Sequence, residues 1–169
     1  MLPPGTAITI ILNVEDKRLT PGTTEGPYYK KDSPEKARLY ESGVPGEKLT
    51  LTGSVYDTKG KPVAKAWLDF WQANGNGRYD NTGYTLRGRQ FTDASGKYKL
   101  ETVVPGGYTG RTPHIHVKVR APGSRSTLTT QVFFPGLDTN KTDPIFRDEL
   151  VVKISEGLEG KSATFNFVL

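Results

Sequence analysis

The sequence predicts an all-β chain folded as an antiparallel β-sandwich or barrel. Short runs of alternating apolar and polar residues recur from residue 49 onward, which is the period of a half-buried strand. Turn signals separate these runs. The 19 Gly and 12 Pro in 169 residues fit a globular chain rich in turns. A chain of this length can bury one core, and no internal repeat divides it. Residues 1–169 are therefore read as a single domain, with an N-terminal arm over 1–47 and the β-sheet core over 48–169.

The arm opens with Ala7-Ile8-Thr9-Ile10-Ile11-Leu12, read as a first strand or as an arm packed on a neighbour. It lacks the basic start and small-residue cleavage site of a leader. Residues 15–47 are polar and rich in Pro and Gly, an extended loop wrapped on the domain with a short turn at 34–38. Leu49, Leu51, Gly53 and Val55 then alternate with Thr50, Thr52, Ser54 and Tyr56, and Asp57-Thr58-Lys59-Gly60 is a turn. Ala66, Leu68 and Phe70 alternate with Trp67, Asp69 and Trp71, two tryptophans read as packing groups. The glycines of Asn74-Gly75-Asn76-Gly77 allow a tight loop. A short strand is expected at 89–93, a turn at Asp93-Ala94-Ser95-Gly96, and a strand carrying Tyr98, Leu100 and Thr102. Pro105-Gly106-Gly107 breaks it. Strong strands follow at 114–120 and 127–134; 145–154 reads as a helical turn or a strand, and 165–169 as the last strand.

Composition excludes several classes. With no cysteine, the chain can hold no disulfide, thiolate zinc site, iron–sulfur cluster or cysteine nucleophile. The formal charge of +5 comes from Lys and Arg scattered among acids. That pattern reads as a solvated surface and not as a nucleic-acid footprint. No apolar stretch approaches the length of a membrane span. The compartment is left open between cytoplasm and secretion with the leader removed.

The only two histidines, His114 and His116, sit one residue apart in a predicted strand. Alternate strand residues share a face, so both imidazoles point the same way and make half of a metal site. No third histidine exists to complete it. The remaining ligands must be Asp, Glu or Tyr, and a two-histidine, one-carboxylate Fe(II) site or a zinc site stays open. Tyr108 follows the Pro-Gly-Gly break, and Tyr79 ends the Asn-Gly-Asn-Gly-Arg loop. Tyr84 competes with Tyr79 from a similar loop position, whereas Tyr56 and Tyr98 read as sheet residues. A hard trivalent cation favours phenolate, and two phenolates with one hydroxide balance the charge of Fe(III).

A set of segments resembles the intradiol ring-cleavage dioxygenases. They are Thr24-Glu25-Gly26-Pro27-Tyr28-Tyr29, Gly60-Lys61-Pro62-Val63, Trp71-Gln72-Ala73-Asn74 with Gly77-Arg78-Tyr79, Arg87-Gly88, Thr92-Asp93, Gly96-Lys97-Tyr98, Pro105-Gly106-Gly107-Tyr108, Arg111-Thr112-Pro113-His114-Ile115-His116 and Leu128-Thr129-Thr130-Gln131-Val132-Phe133-Phe134. Single pieces are weak, but their shared order over residues 23–135 is specific. The resemblance implies a transthyretin-like β-sandwich with one Fe(III) per chain held by Tyr79, Tyr108, His114 and His116. It implies Tyr79 and His114 equatorial with a hydroxide, Tyr108 and His116 axial, and Tyr108 released when substrate binds. Arg111 matches the arginine beside the substrate ring, and Gln131 the glutamine facing the reacting carbons. The implied reaction is O2-dependent opening of a catechol, protocatechuate or hydroxyquinol between its hydroxyl-bearing carbons to a muconate-type diacid, as in the breakdown of aromatic compounds.

Competing readings stand beside these. Tyr28 and Tyr29 line the pocket mouth or merely pack the arm. Arg111 serves the substrate or pairs with a surface acid. The Gly-x-Pro-Val turn and the Thr-Asp-x-x-Gly-x-Tyr pattern also occur in non-catalytic transthyretin-like binding modules. The chain lacks the long helical N-terminal region of the catechol and hydroxyquinol enzymes, and only Thr109-Gly110 separates Tyr108 from Arg111. A more open site with looser substrate choice is expected, while a homo-oligomer and the preferred diphenol are left open.

Overall fold

The computed structural model describes Pro4, Gly5 and residues 17–169; the expected segment at 7–12 lies outside the described residues. Among the described residues, nine strands form two sheets. The first contains β4 (Lys97–Val103), β1 (Lys48–Tyr56), β8 (Gly160–Thr164) and β7 (Lys153–Gly157) in that order, with β9 (Phe167–Val168) also paired to β1. The second is ordered β3 (Arg87–Phe91), β2 (Trp67–Gln72), β5 (His114–Arg120) and β6 (Leu128–Phe133). Two 3-10 turns, Asp138–Lys141 and Asp148–Leu150, are the helical elements among the described residues.

The core lies between the sheets. Leu49, Leu51, Val55 and Leu100 from the first meet Leu68, Phe70, Ile115, Val117, Val119 and Val132 from the second, all at most 1% exposed. Burying each such side chain stabilises the fold by about 1.5–3 kcal/mol before conformational entropy is charged against it. The strand period then sends Trp67, Asp69 and Trp71 of β2, and His114, His116 and Lys118 of β5, to the opposite, outer face. The arm covers that face, so most of these polar residues are buried although they face away from the core. Sheet side chains pin the arm in place. Asp69 accepts hydrogen bonds from Tyr29 Oη at 3.0 Å and Ser33 Oγ at 2.6 Å, Gln131 Nε2 donates to the Thr24 carbonyl at 3.0 Å, and Lys118 pairs with Glu25.

Several local expectations are corrected. Not every pairing is antiparallel: β8 and β9 run parallel to β1, because the chain re-enters the first sheet through the β7–β8 hairpin. No strand spans 165–169. Phe165 and Asn166 interrupt it, and Asn166 Oδ1 accepts the Ser54 N–H at 2.9 Å. Gly53 makes that approach feasible, since a Cβ there would lie 1.7 Å from the Phe165 carbonyl oxygen. The turn expected at 34–38 is extended chain, bridging Glu35 to Arg89 and Arg38 to Glu101. The third strand starts at Arg87 and ends at Phe91; Thr92 directs its hydroxyl to the Val63 carbonyl at 2.6 Å. In 145–154 both expected forms occur in turn: the Asp148–Leu150 helical turn gives way to β7 at Lys153.

Candidate metal centre

β5 carries His114 and His116 on the outer face beneath the arm, where they are 2% and 1% exposed. The two tyrosines reach the same point from neighbouring loops. In the loop after β2, the Asn74 carbonyl accepts the Gly77 N–H at 2.9 Å and Asn74 Oδ1 accepts the N–H groups of Asn76 and Arg78, which turns the chain before Tyr79. Tyr108 and Arg111 exchange backbone hydrogen bonds of 3.2 and 2.8 Å around Thr109-Gly110. Glycines let the loops interlock: a Cβ on Gly77, at φ +77°, would lie 2.3 Å from the Gly107 carbonyl oxygen, and one on Gly106 would lie 2.5 Å from that of Gly75. Gly106→Ala is therefore expected to push the two tyrosines apart. A loss of about 1–3 kcal/mol in urea unfolding, together with weaker metal uptake, would register it; neither changing would show that the loops yield freely.

The four donor atoms face one another. Tyr79 Oη lies 3.3 Å from Tyr108 Oη, 3.3 Å from His114 Nε2 and 3.0 Å from His116 Nε2. Tyr108 Oη lies 3.3 Å from His114 Nε2, and the two Nε2 atoms are 3.1 Å apart. A cation held at roughly 2.0–2.1 Å places neighbouring ligands roughly 3 Å apart, so the donor set fits one metal ion. His114 Nδ1–H donates to the Thr112 carbonyl at 2.7 Å, leaving the Nε2 lone pair turned into the cluster. His116 stacks on Trp71 with ring centroids 4.7 Å apart and planes within 8°.

Electrostatics favour neutral donors until a cation arrives. Burial, helped by the Arg111 charge, pushes the His114 pKa down to about 4, and burial followed by the neighbouring His114 depresses His116 further. Both imidazoles are unprotonated at neutral pH. Burial, then the hydrogen bond with Tyr108, raises the Tyr79 phenol above its ordinary value. Only a strong positive charge at the centre draws that proton off. Among the described residues no three His, Cys, Asp or Glu side chains gather. A carboxylate-completed Fe(II) or zinc site therefore finds no carboxylate to complete it.

Beside the cluster, Arg111 donates through Nε to Asp143 Oδ2 at 2.9 Å and through a terminal nitrogen to Gln131 Oε1. It does pair with an acid, but a buried one, whose side chain is 0% exposed. Tyr28 stacks on Tyr79 with centroids 4.4 Å apart, which brings the arm to the mouth of the pocket. Tyr84 lies elsewhere, its hydroxyl donating to the Lys31 carbonyl at 3.0 Å, and the Tyr98 hydroxyl donates to the Phe165 carbonyl at 2.7 Å.

A family model described as Dioxygenase matches residues 24–169. Catechol 1,2-dioxygenase 2 of Acinetobacter lwoffii is 36% identical over 165 residues, covering 82% of this chain and 58% of that protein. The chain belongs to the intradiol dioxygenase family. The protocatechuate 3,4-dioxygenase beta chain of Burkholderia cepacia is 35% identical over 140 residues, covering 68% of this chain and 60% of that one. The chain thus spans under two thirds of the length of these curated family members. The dioxygenase domain of a dioxygenase carbohydrate-binding protein fusion from the cellulolytic bacterium Streptomyces sp. SirexAA-E superposes with a TM-score of 0.87 at 49% identity, covering 90% of this chain and 98% of that one.

Within this family frame, two neighbours of the cluster escaped the sequence reading. Asp143 lies in a loop with no strand period, and its role depends on that loop folding back onto Arg111. Asp69 sits on a regular strand, but its pattern says nothing of the arm it holds. A buried carboxyl that desolvation raises above its usual range is visible only in the fold.

Proposed function

We propose that the chain is a non-haem Fe(III) intradiol dioxygenase domain that opens catechol-type diols with O2 to muconate-type diacids. The convergence of two phenol oxygens and two imidazole nitrogens, 3.0–3.3 Å apart on a rigid strand and two interlocked loops, carries this reading. A non-catalytic binding module has no use for such a donor set. Tyr79, Tyr108, His114 and His116 would hold one iron per chain. An Fe(III) held there would supply Lewis acidity toward a catechol-type diol and make it reactive toward O2.

The protein's own groups do the rest. Tyr108 leads into the exposed two-residue turn Thr109-Gly110, so it is the ligand best placed to swing out, its Oη accepting a proton from the incoming diol. Arg111 faces the ring with a fixed positive charge. Gln131, fully buried between the Thr24 carbonyl and Arg111, fixes the guanidinium plane. Tyr28 forms one wall over Tyr79. The short Thr109-Gly110 connection leaves the opposite side open, which favours loose selection among catechol, protocatechuate and hydroxyquinol.

Absorption tests the reading. Protein loaded with Fe(III) is expected to be red-brown from phenolate-to-metal charge transfer, and Tyr108→Phe is expected to shift that band and slow turnover by about 10²–10⁴-fold. An unchanged spectrum removes Tyr108 from the ligand set. Colourless iron-loaded protein that still opens diphenols overturns the whole assignment. Assaying the three diols in turn identifies the preferred ring.

A further inference from the structure

The Arg87-Gly88 segment has no part in the chemistry above, yet its guanidinium is among the most deeply placed charges in the molecule. Arg87 is 1% exposed, on the outer face of β3 and opposite Trp71 in register. Its Nε donates to the Asp80 carbonyl at 3.0 Å, one terminal nitrogen donates to the Tyr28 carbonyl, and the other lies 3.4 Å from Asn81 Oδ1. These acceptors are neutral. No ion pair among the described residues includes Arg87. The Asp80 carboxylate instead accepts the N–H groups of Thr82, Gly83 and Thr85. A buried arginine without a carboxylate is uncommon because its desolvation goes uncompensated. The guanidinium carbon lies 5.9 Å from the centre of the Tyr79 ring.

We propose that Arg87 is a positioning residue for the Tyr79 ligand, pinning the chain on both sides of its ring and setting a fixed positive charge beside its phenolate. One bond holds the carbonyl directly after Tyr79. Another holds the carbonyl of Tyr28, whose ring lies stacked on Tyr79 at 4.4 Å. The missing counter-charge is the phenolate itself, present once a trivalent cation has bound. The inference rests on Tyr79 being an iron ligand, as proposed above.

The charge makes a spectroscopic prediction that a purely structural role does not. A cation beside the phenolate lowers the energy of its donor electrons, so removing it lowers the energy of phenolate-to-iron charge transfer. Arg87→Met is expected to move that band to longer wavelength and to weaken Fe(III) binding by about 10–100-fold, the usual effect of losing an outer partner of a metal ligand. Arg87→Lys keeps the charge and loses the fork; it is expected to hold the band near its wild-type position while losing part of the affinity. An Arg87→Met protein that is folded by circular dichroism and has wild-type band and affinity overturns the proposal. If Arg87→Met does not fold, Arg87→Lys decides: weakened binding with the band held supports it, and unchanged affinity or a displaced band overturns it. A wild-type protein that takes up Fe(III) without colour is a different result: it removes Tyr79 from the ligand set and overturns the positioning role with it.

Discussion

Replacing His116 with alanine is expected to abolish iron retention and, with it, ring opening. His116 Nε2 is the donor nearest to Tyr79 Oη, at 3.0 Å, and lies 3.1 Å from His114 Nε2. Its loss would leave three of the four proposed ligands and open one side of the site to water. The fall in Fe(III) affinity should exceed the roughly 10–100-fold that follows loss of a mere outer partner, and turnover should drop to background. The apo fold should survive. The imidazole is neutral and its Nδ1 has no hydrogen-bond partner among the described residues, and when Nε2 is lost Tyr79 Oη keeps Tyr108 Oη and His114 Nε2 as partners, so alanine strands no polar group. The stacked Trp71 loses contact area, a cost of about 2–3 kcal/mol for the cavity. Iron content by elemental analysis, the charge-transfer band and circular dichroism measured on one preparation separate these effects. Tyr84→Phe is the matched control, because its hydroxyl serves only the Lys31 carbonyl, and it should keep iron and colour. A folded His116→Ala protein that retains one iron per chain would show that the metal sits elsewhere.

The contrast between what the chain announces and what it conceals follows from how side chains are sampled. Strand alternation placed Leu68 and Phe70 inside and His114 and His116 together on the far face, because period two is a strong local constraint. The bounds of β5, 114–120, were legible for the same reason. The β7–β8 hairpin was not: every residue of Lys153–Gly157 is exposed, so no face is selected for apolarity and no period is written. The bounds of β3 were two residues late, at 89–93 in place of 87–91, because Arg87 and Gly88 carry no apolar alternation; what buries them is the arm lying over them. Tyr79 and Tyr108 stood out by loop position and by resemblance, but that their oxygens lie 3.3 Å apart depends on the contact between Gly75 to Gly77 and Gly106 to Gly107. No single segment encodes that contact. Asp143 lies further still from legibility: an acid in an irregular loop carries no signal until the loop closes.

Asp143→Asn should produce the largest change in stability. The native side chain is wholly buried, and its Oδ2 accepts both Arg111 Nε–H and the Thr112 N–H at 2.9 Å, while Oδ1 accepts the Ile145 N–H at 2.8 Å. An amide keeps the shape but turns one acceptor into a donor facing N–H groups, and it leaves the largely buried Arg111 without its counter-charge. Breaking such a pair costs about 3–5 kcal/mol; the retained bond to Gln131 argues for the lower end. The acid limb should change as well. Burial alone raises the Asp143 carboxyl, but the hydrogen bonds from Ile145, Arg111 and Thr112 outweigh it and hold the group below the usual carboxylate range. A depressed folded value means the stabilisation is complete above the unfolded pKa of about 4 and is lost as pH falls through the folded one. Wild-type stability should therefore drop on acidification below about pH 4, and the asparagine variant should lack that increment while being weaker at pH 7. Urea midpoints at pH 7 and at successive steps below pH 4 measure both. Activity adds a third reading: in the proposed reaction Arg111 meets charge that develops only as the ring reacts, so with its guanidinium free to turn, kcat should fall more than KM rises. Equal midpoints at pH 7 with parallel acid limbs would show that Asp143 does not hold Arg111 in solution.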